Sequence, residues 1–140
     1  MQALTDEKHK EFLALSAAWL EKCPVDAKVH LARASVLSAG GDGDVLAAAH
    51  HRFMFYGLLE SILASGDGRT KASAYHVIAV DEEYTVLNFL GATLKKQSLD
   101  GTLDVLEVDL KGALTTIYFD AALSLAATER ALQGSDRKPR

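Results

Sequence analysis

His76 interrupts the apolar run Ala74-Tyr75-His76-Val77-Ile78-Ala79-Val80, with Asp67 upstream of it and Glu83-Tyr84 just downstream. An imidazole in a buried strand must find a hydrogen-bond partner. A carboxylate beside it would make an acid/base pair. Asp67, His76 and Glu83 are therefore the candidate catalytic cluster of a small hydrolase or transferase, with Asp67 or Glu83 orienting His76. The competing expectation makes His76 a hydrogen-bonded core residue on the side of Ile78 and Val80, and Glu83 an exposed first-turn acid.

Other chemistries find less in the residues. His9, His30, His50 and His51 contain no H-E-x-x-H, and adjacent His50 and His51 point about 100° apart on a helix, so they do not readily chelate one ion. These histidines are expected at the solvent or at helix boundaries. No metal and no cofactor is expected. Gly66-Asp67-Gly68 is half of a dinucleotide-binding fingerprint, but it follows a helix and lacks the third glycine, so it reads as a turn. No G-x-S-x-G elbow presents a serine nucleophile. Glu107 and Asp109 alternate with Leu106, Val108 and Leu110, which marks them as a solvated strand face.

The elements that must position these groups follow from periodicity. Phe12, Leu15, Trp19 and Cys23 form a stripe on a helix over 5–22 that Pro24 closes, and Trp19 and Cys23 are expected in the core. Asp26 caps a second helix to about Ser38, with Val29, Ala32, Val36 and Leu37 inward. A third helix, capped by Asp44 and running to Ala64, has a wide inner face that includes Leu46, Ala49, Phe53, Phe55, Leu58, Leu59, Ile62 and Leu63. Residues 74–80 read as a central strand, and Asp81 opens a helix that ends at Gly91. Asp100-Gly101 and Lys111-Gly112 join three strands, 92–99, 102–110 and 115–119, as hairpins. Ser124 caps a last helix. The expected fold is α+β: N-terminal helices packed on a mainly antiparallel sheet of about four strands, with an inserted helix and a C-terminal helix.

The 140 residues suffice for one domain, here 1–133, divided into a helical hairpin extension (5–49) and an α+β unit (50–133). The formal net charge is -4, and the end GSDRKPR sets one acid against three bases, leaving -6 on the body. That acidity speaks against a nucleic-acid partner. Residues 134–140 are expected to be a disordered basic tail. One cysteine precludes an internal disulfide framework, and no run is apolar enough to span a membrane. A cytoplasmic protein is expected.

Several ordered blocks make the region from about His50 to Leu132 resemble the bacterial domain-of-unknown-function family numbered 4919. They include His51-Arg52-Phe53, Gly57 to Leu63, Ser65 to Gly68, Ala74 to Ile78, Glu82-Glu83-Tyr84, Leu90-Gly91, Gln97-Ser98-Leu99, Asp104 to Val108 and Tyr118-Phe119-Asp120. The helices in front loosely resemble tetratricopeptide hairpins, through Ala34, Leu37 and Gly41. The family resemblance implies a shared local site that includes Gly66, Asp67, His76, Glu83, Tyr84, Gln97 and Tyr118. It implies no particular activity. The expected function is a non-catalytic protein-interaction module, an accessory or immunity-type protein that binds a cationic protein partner. The oligomeric state is left open.

Overall fold

The computed structural model describes residues 2–40 and 44–135, leaving aside the side chains of 2–4 and 134–135. The chain divides into two compact units, Met1–Glu60 and Ser61–Arg140.

The first unit holds α1 (Gln2–Lys22), α2 (Ala27–Ala39) and most of α3 (Val45–Ala64). Asp26 caps α2 by accepting the Val29 N–H at 3.1 Å, and Asp44 accepts the Ala47 N–H at 2.9 Å as α3 begins. The helices lie as expected, but their buried faces do not. On α1 the buried residue is Ser16, between half-buried Phe12, Leu13 and Leu20, whereas Leu15 and Trp19 are exposed. The Trp19 indole N–H instead donates to Asp26 at 2.8 Å, and Cys23 is a half-buried free thiol. On α2 the buried set is Ala27, His30 and Ala34. On α3 it is Ala48, His51, Phe55, Leu59 and Ile62, while Leu46, Ala49 and Phe53 face solvent.

The cause is a buried polar chain through two histidines that apolar periodicity places at the surface. The Arg33 Nε–H donates to His51 Nε2 at 2.9 Å, and the two Nδ1 atoms of His51 and His30 lie 2.8 Å apart. His30 Nε2 meets the Pro24 carbonyl at 3.0 Å. Because Arg33 can only donate and a carbonyl can only accept, both tautomers are fixed: His51 carries its proton on Nδ1 and His30 on Nε2. Arg33 also donates to the Leu13 carbonyl and to Ser16 Oγ, both at 2.6 Å, which ties α1 and α2 together. Burial and the charge of Arg33 push the His51 imidazole down to about 4.

The second unit holds a four-stranded mixed sheet in the order β1-β4-β3-β2, with β1 (Tyr75–His76), β2 (Ala92–Asp100), β3 (Leu103–Leu110) and β4 (Ala113–Asp120). β2, β3 and β4 form the antiparallel meander that the turn residues predict. Lys111 and Gly112 both take positive φ, at 54° and 86°, as a two-residue hairpin loop requires. The segment read as a central strand is corrected: β1 is a two-residue edge strand, parallel to β4. Its phase is also inverted, with Tyr75 and Val77 buried and His76, Ile78 and Val80 exposed. Apolar residues stand on both sides of this segment, so alternation alone does not choose the inner one.

After β1 the chain enters α4 (Val80–Leu90) one residue before the expected start. Ala79 stands at the N-cap, and the Glu82 carboxylate reaches back to accept the Ile78 N–H at 2.8 Å. Gly91, left-handed at φ 69°, ends α4 by donating to the Asn88 and Leu87 carbonyls. Likewise α5 (Ala122–Ser135) starts before Ser124, because the Asp120 carboxylate accepts the Ala122 N–H at 3.0 Å. It takes in residues 134–135 of the expected tail, and residues 136–140 lie outside the described residues. Leu106, Val108, Ile117 and Phe119 form the inner face of the sheet. Among the described residues no helix is long and apolar enough to cross a membrane.

Candidate functional site

The seven residues of the expected site fall into three places. Glu83, Tyr84 and Gln97 come together, joined by a fourth residue, Asp104. Gly66 and Asp67 build a turn that hydrogen-bonds to the backbone of Tyr118. His76 stands apart with Asp120. Among the described residues no hydrogen bond or ion pair joins His76 to Asp67 or to Glu83.

The first group is polar where the sheet is otherwise apolar. Asp104 shares the phase of Leu106 and Val108 on β3, so the pleat turns its carboxylate inward, where it is buried. Gln97 reaches it through an irregularity: the register of β2 against β3 shifts between Leu94 and Lys96. Without that bulge Gln97 would lie on the face opposite Leu94. With it, Gln97 stands across from Leu106 on the inner face and Lys96 across from Glu107. Gln97 Nε2 donates to Asp104 at 3.1 Å, and its Oε1 accepts from the Tyr84 hydroxyl at 3.4 Å. The two bonds fix the amide orientation.

Glu83, in the first turn of α4, corrects the exposed-acid expectation, since it has no solvent exposure at all. Neither of its carboxyl oxygens has a hydrogen-bond donor. Burial first, and then the carboxylate of Asp104, pushes it up to about 8. Glu83 is thus a neutral acid at pH 7, able to donate its single proton to Asp104. The two carboxyl groups then carry one negative charge at the Asp104 edge, next to the exposed Gln97 and Tyr84. Chemically this is a site with acceptors to spare and too few donors. It suits a cation or an N–H donor. Because Glu83 is sealed, it does not touch a substrate directly.

Gly66 and Asp67 make a rigid turn. The Asp67 and Gly68 N–H groups both donate to the Ser73 carbonyl, at 3.0 and 2.8 Å, and the Tyr118 N–H donates to the Gly68 carbonyl at 2.9 Å. The Asp67 carboxylate accepts from Ser73 Oγ at 2.6 Å and from the Arg69 N–H at 2.9 Å, and these bonds lower its pKa. A Cβ on Gly66 would lie 2.3 Å from the Ser73 carbonyl oxygen, which explains the glycine without any phosphate. His76 is exposed, with Nδ1 3.5 Å from the Asp120 carboxylate. Its backbone N–H donates to Ser65 Oγ at 2.8 Å.

Asp104 is no part of the expected site, although the alternation that faces Glu107 and Asp109 outward also sends Asp104 inward with Leu106. Among the described residues no three His, Cys, Asp or Glu side chains converge to hold a metal ion.

N-terminal helices, a mixed and mostly antiparallel sheet, an inserted helix carrying the buried acid and a C-terminal helix define an α+β chain. A family model described as a domain of unknown function, DUF4919, matches residues 1–130, and the chain belongs to that family. The match takes in α1 and α2 as well as the sheet, so these helices are part of the family unit, which corrects the expected start near His50. Gly41, one carrier of the tetratricopeptide resemblance, lies outside the described residues. Searches of curated proteins and of solved structures found no match.

Proposed function

We propose that the chain is a non-catalytic protein-interaction module, an accessory or immunity-type protein whose partner offers a cationic side chain to the Glu83–Asp104 pair. The observation that carries this reading is the fully buried Glu83 carboxyl, without a donor on either oxygen, beside the buried carboxylate of Asp104. A lysine or arginine arriving over Gln97 and Tyr84 meets the pair at its Asp104 edge, where arginine can donate two parallel bonds, while Glu83 acts from behind through Asp104. The acidic body, at -6 without its basic end, draws such a partner from a distance.

The test is affinity capture at low salt from an extract of the source cells, with the wild-type chain and Asp104→Asn compared side by side. Circular dichroism first verifies that both are folded. A basic protein held by the wild type, released by salt and lost by Asp104→Asn is the expected result. Equal capture by both chains, or no partner at low salt, contradicts the proposal.

A further inference from the structure

The buried side of helix α3 carries Phe55 and Leu59, and the opposite side carries an apolar stripe of Val45, Leu46, Ala49, Phe53, Tyr56 and Gly57, bordered by exposed His50 and Arg52 and ended by exposed Glu60. Leu46 is 83% and Phe53 75% exposed. A contiguous exposed apolar stripe with a polar rim marks an interaction surface.

Gly57 says how closely the cover approaches. It sits in the interior of α3, where glycine is unfavourable relative to alanine. A Cβ built there meets nothing within 4 Å, so packing among the described residues gives no reason for the glycine. The space it leaves points outward, on the same side as Phe53.

The spacing on this side identifies the occupant. Leu46, Ala49, Phe53 and Tyr56 recur at three, four and three, the a and d positions of a heptad seam. Two such helices running antiparallel place each a position against a d position of the other. Leu46 then meets Tyr56 of the second copy and Phe53 meets its Ala49, while Val45 and Gly57 flank the seam on its two sides, Gly57 beside Phe53 where a larger side chain holds the two helices apart. Each large side chain faces a small one or an apolar partner, and the arrangement is its own mate under a two-fold rotation.

The area is also adequate. Val45, Leu46, Phe53 and Tyr56 together expose roughly 400–500 Å² of apolar surface, given that an aromatic side chain offers about 150–250 Å² when fully covered. A standard interface covers about 800 Å² on each partner, somewhat over half of it apolar. The stripe therefore supplies the apolar share of an interface of ordinary size.

We infer that the chain forms a reversible two-fold dimer through antiparallel pairing of α3, with Leu46 against Tyr56 and Phe53 against Ala49 of the second copy. The inference goes beyond the cation-binding reading and uses none of its residues, so either stands if the other fails.

Sedimentation velocity of the full chain over the micromolar to millimolar range is the test. A concentration-dependent shift from monomer to dimer is expected, with dimerisation weakened at least tenfold by Phe53→Glu and by Gly57→Leu. Gly57→Leu removes a helix-interior glycine where there is open space, so it raises the thermal stability of the monomer while weakening the dimer. A purely structural role for Gly57 does not produce that opposition. In a Cys23→Ser background, a mixture of Leu46→Cys and Tyr56→Cys chains should form a mixed disulfide faster than either chain forms its own. A monomer throughout the range, a dimer indifferent to both substitutions, or self-linked chains forming faster than mixed ones would each overturn the inference.

Discussion

Glu83 and Asp104 bring two carboxyl groups together in the interior of the second unit and, among the described residues, a single side-chain donor, the amide of Gln97, is directed at them. One lies in the first turn of a helix and the other on the inner face of a strand, and each is explicable locally. Their juxtaposition is what requires a proton, and it makes Glu83 a neutral acid at physiological pH.

Stability follows from that proton. Between the ordinary carboxyl value of 4.5 and about 8, the unfolded chain has lost the Glu83 proton while the folded chain keeps it. The folded state binds more protons there, so stability falls as pH rises through that window, by roughly 2–5 kcal/mol at most. Glu83→Gln offers Asp104 a permanent donor. Its thermal midpoint should match the wild type near pH 4 and exceed it at pH 8. Equal midpoints at both pH values would contradict the assignment.

The His30–His51 pair gives a slope of the opposite sign. His51, held down to about 4 from 6.5, is neutral in the folded chain across a range where the unfolded chain protonates it. Its contribution is complete above pH 6.5 and is lost as pH falls toward 4. His51→Ala leaves Arg33 Nε and His30 Nδ1 without their partner, at a cost of about 2–3 kcal/mol near pH 7. Urea titration at pH 7 and pH 5 should find the difference from wild type smaller at pH 5. An undiminished difference would count against the relay.

Much of the second unit is legible from short-range chemistry. The hairpin turns, the Gly91 cap and the meander follow from residues whose backbone preference decides locally. What escaped depends on partners distant in sequence. His30 and His51 are 21 residues apart, and nothing in either helix alone announces that each satisfies the other. Tyr75 and Val77 compete with Ile78 and Val80 for the inner face, so alternation does not place His76. Only the family resemblance groups the site residues Glu83, Tyr84 and Gln97. Asp104 was readable from alternation, but the bulge that brings Gln97 to it was not.

Two glycines separate steric need from backbone need. Gly66→Ala drives a Cβ against the Ser73 and Ala74 carbonyl oxygens, at 2.3 and 2.5 Å, and should cost about 2–4 kcal/mol. Gly91→Ala meets open space and bears only the left-handed strain of φ 69°, about 1–2 kcal/mol. Chemical denaturation of the two variants should rank them in that order.

Trp19 is the only tryptophan and reports on Asp26, which holds both its indole N–H and the N-terminus of α2. Asp26→Ala should lower stability by about 1–2 kcal/mol and shift the native emission to the red. An unchanged emission maximum would show that the indole does not depend on this bond.

The most direct test of the central claim is a carbon-detected NMR titration of the Glu83 side-chain carboxyl in the full chain. The account predicts a midpoint near 8. A midpoint near the ordinary 4.5 would mean that Glu83 is charged at neutral pH, and the shared proton would fall.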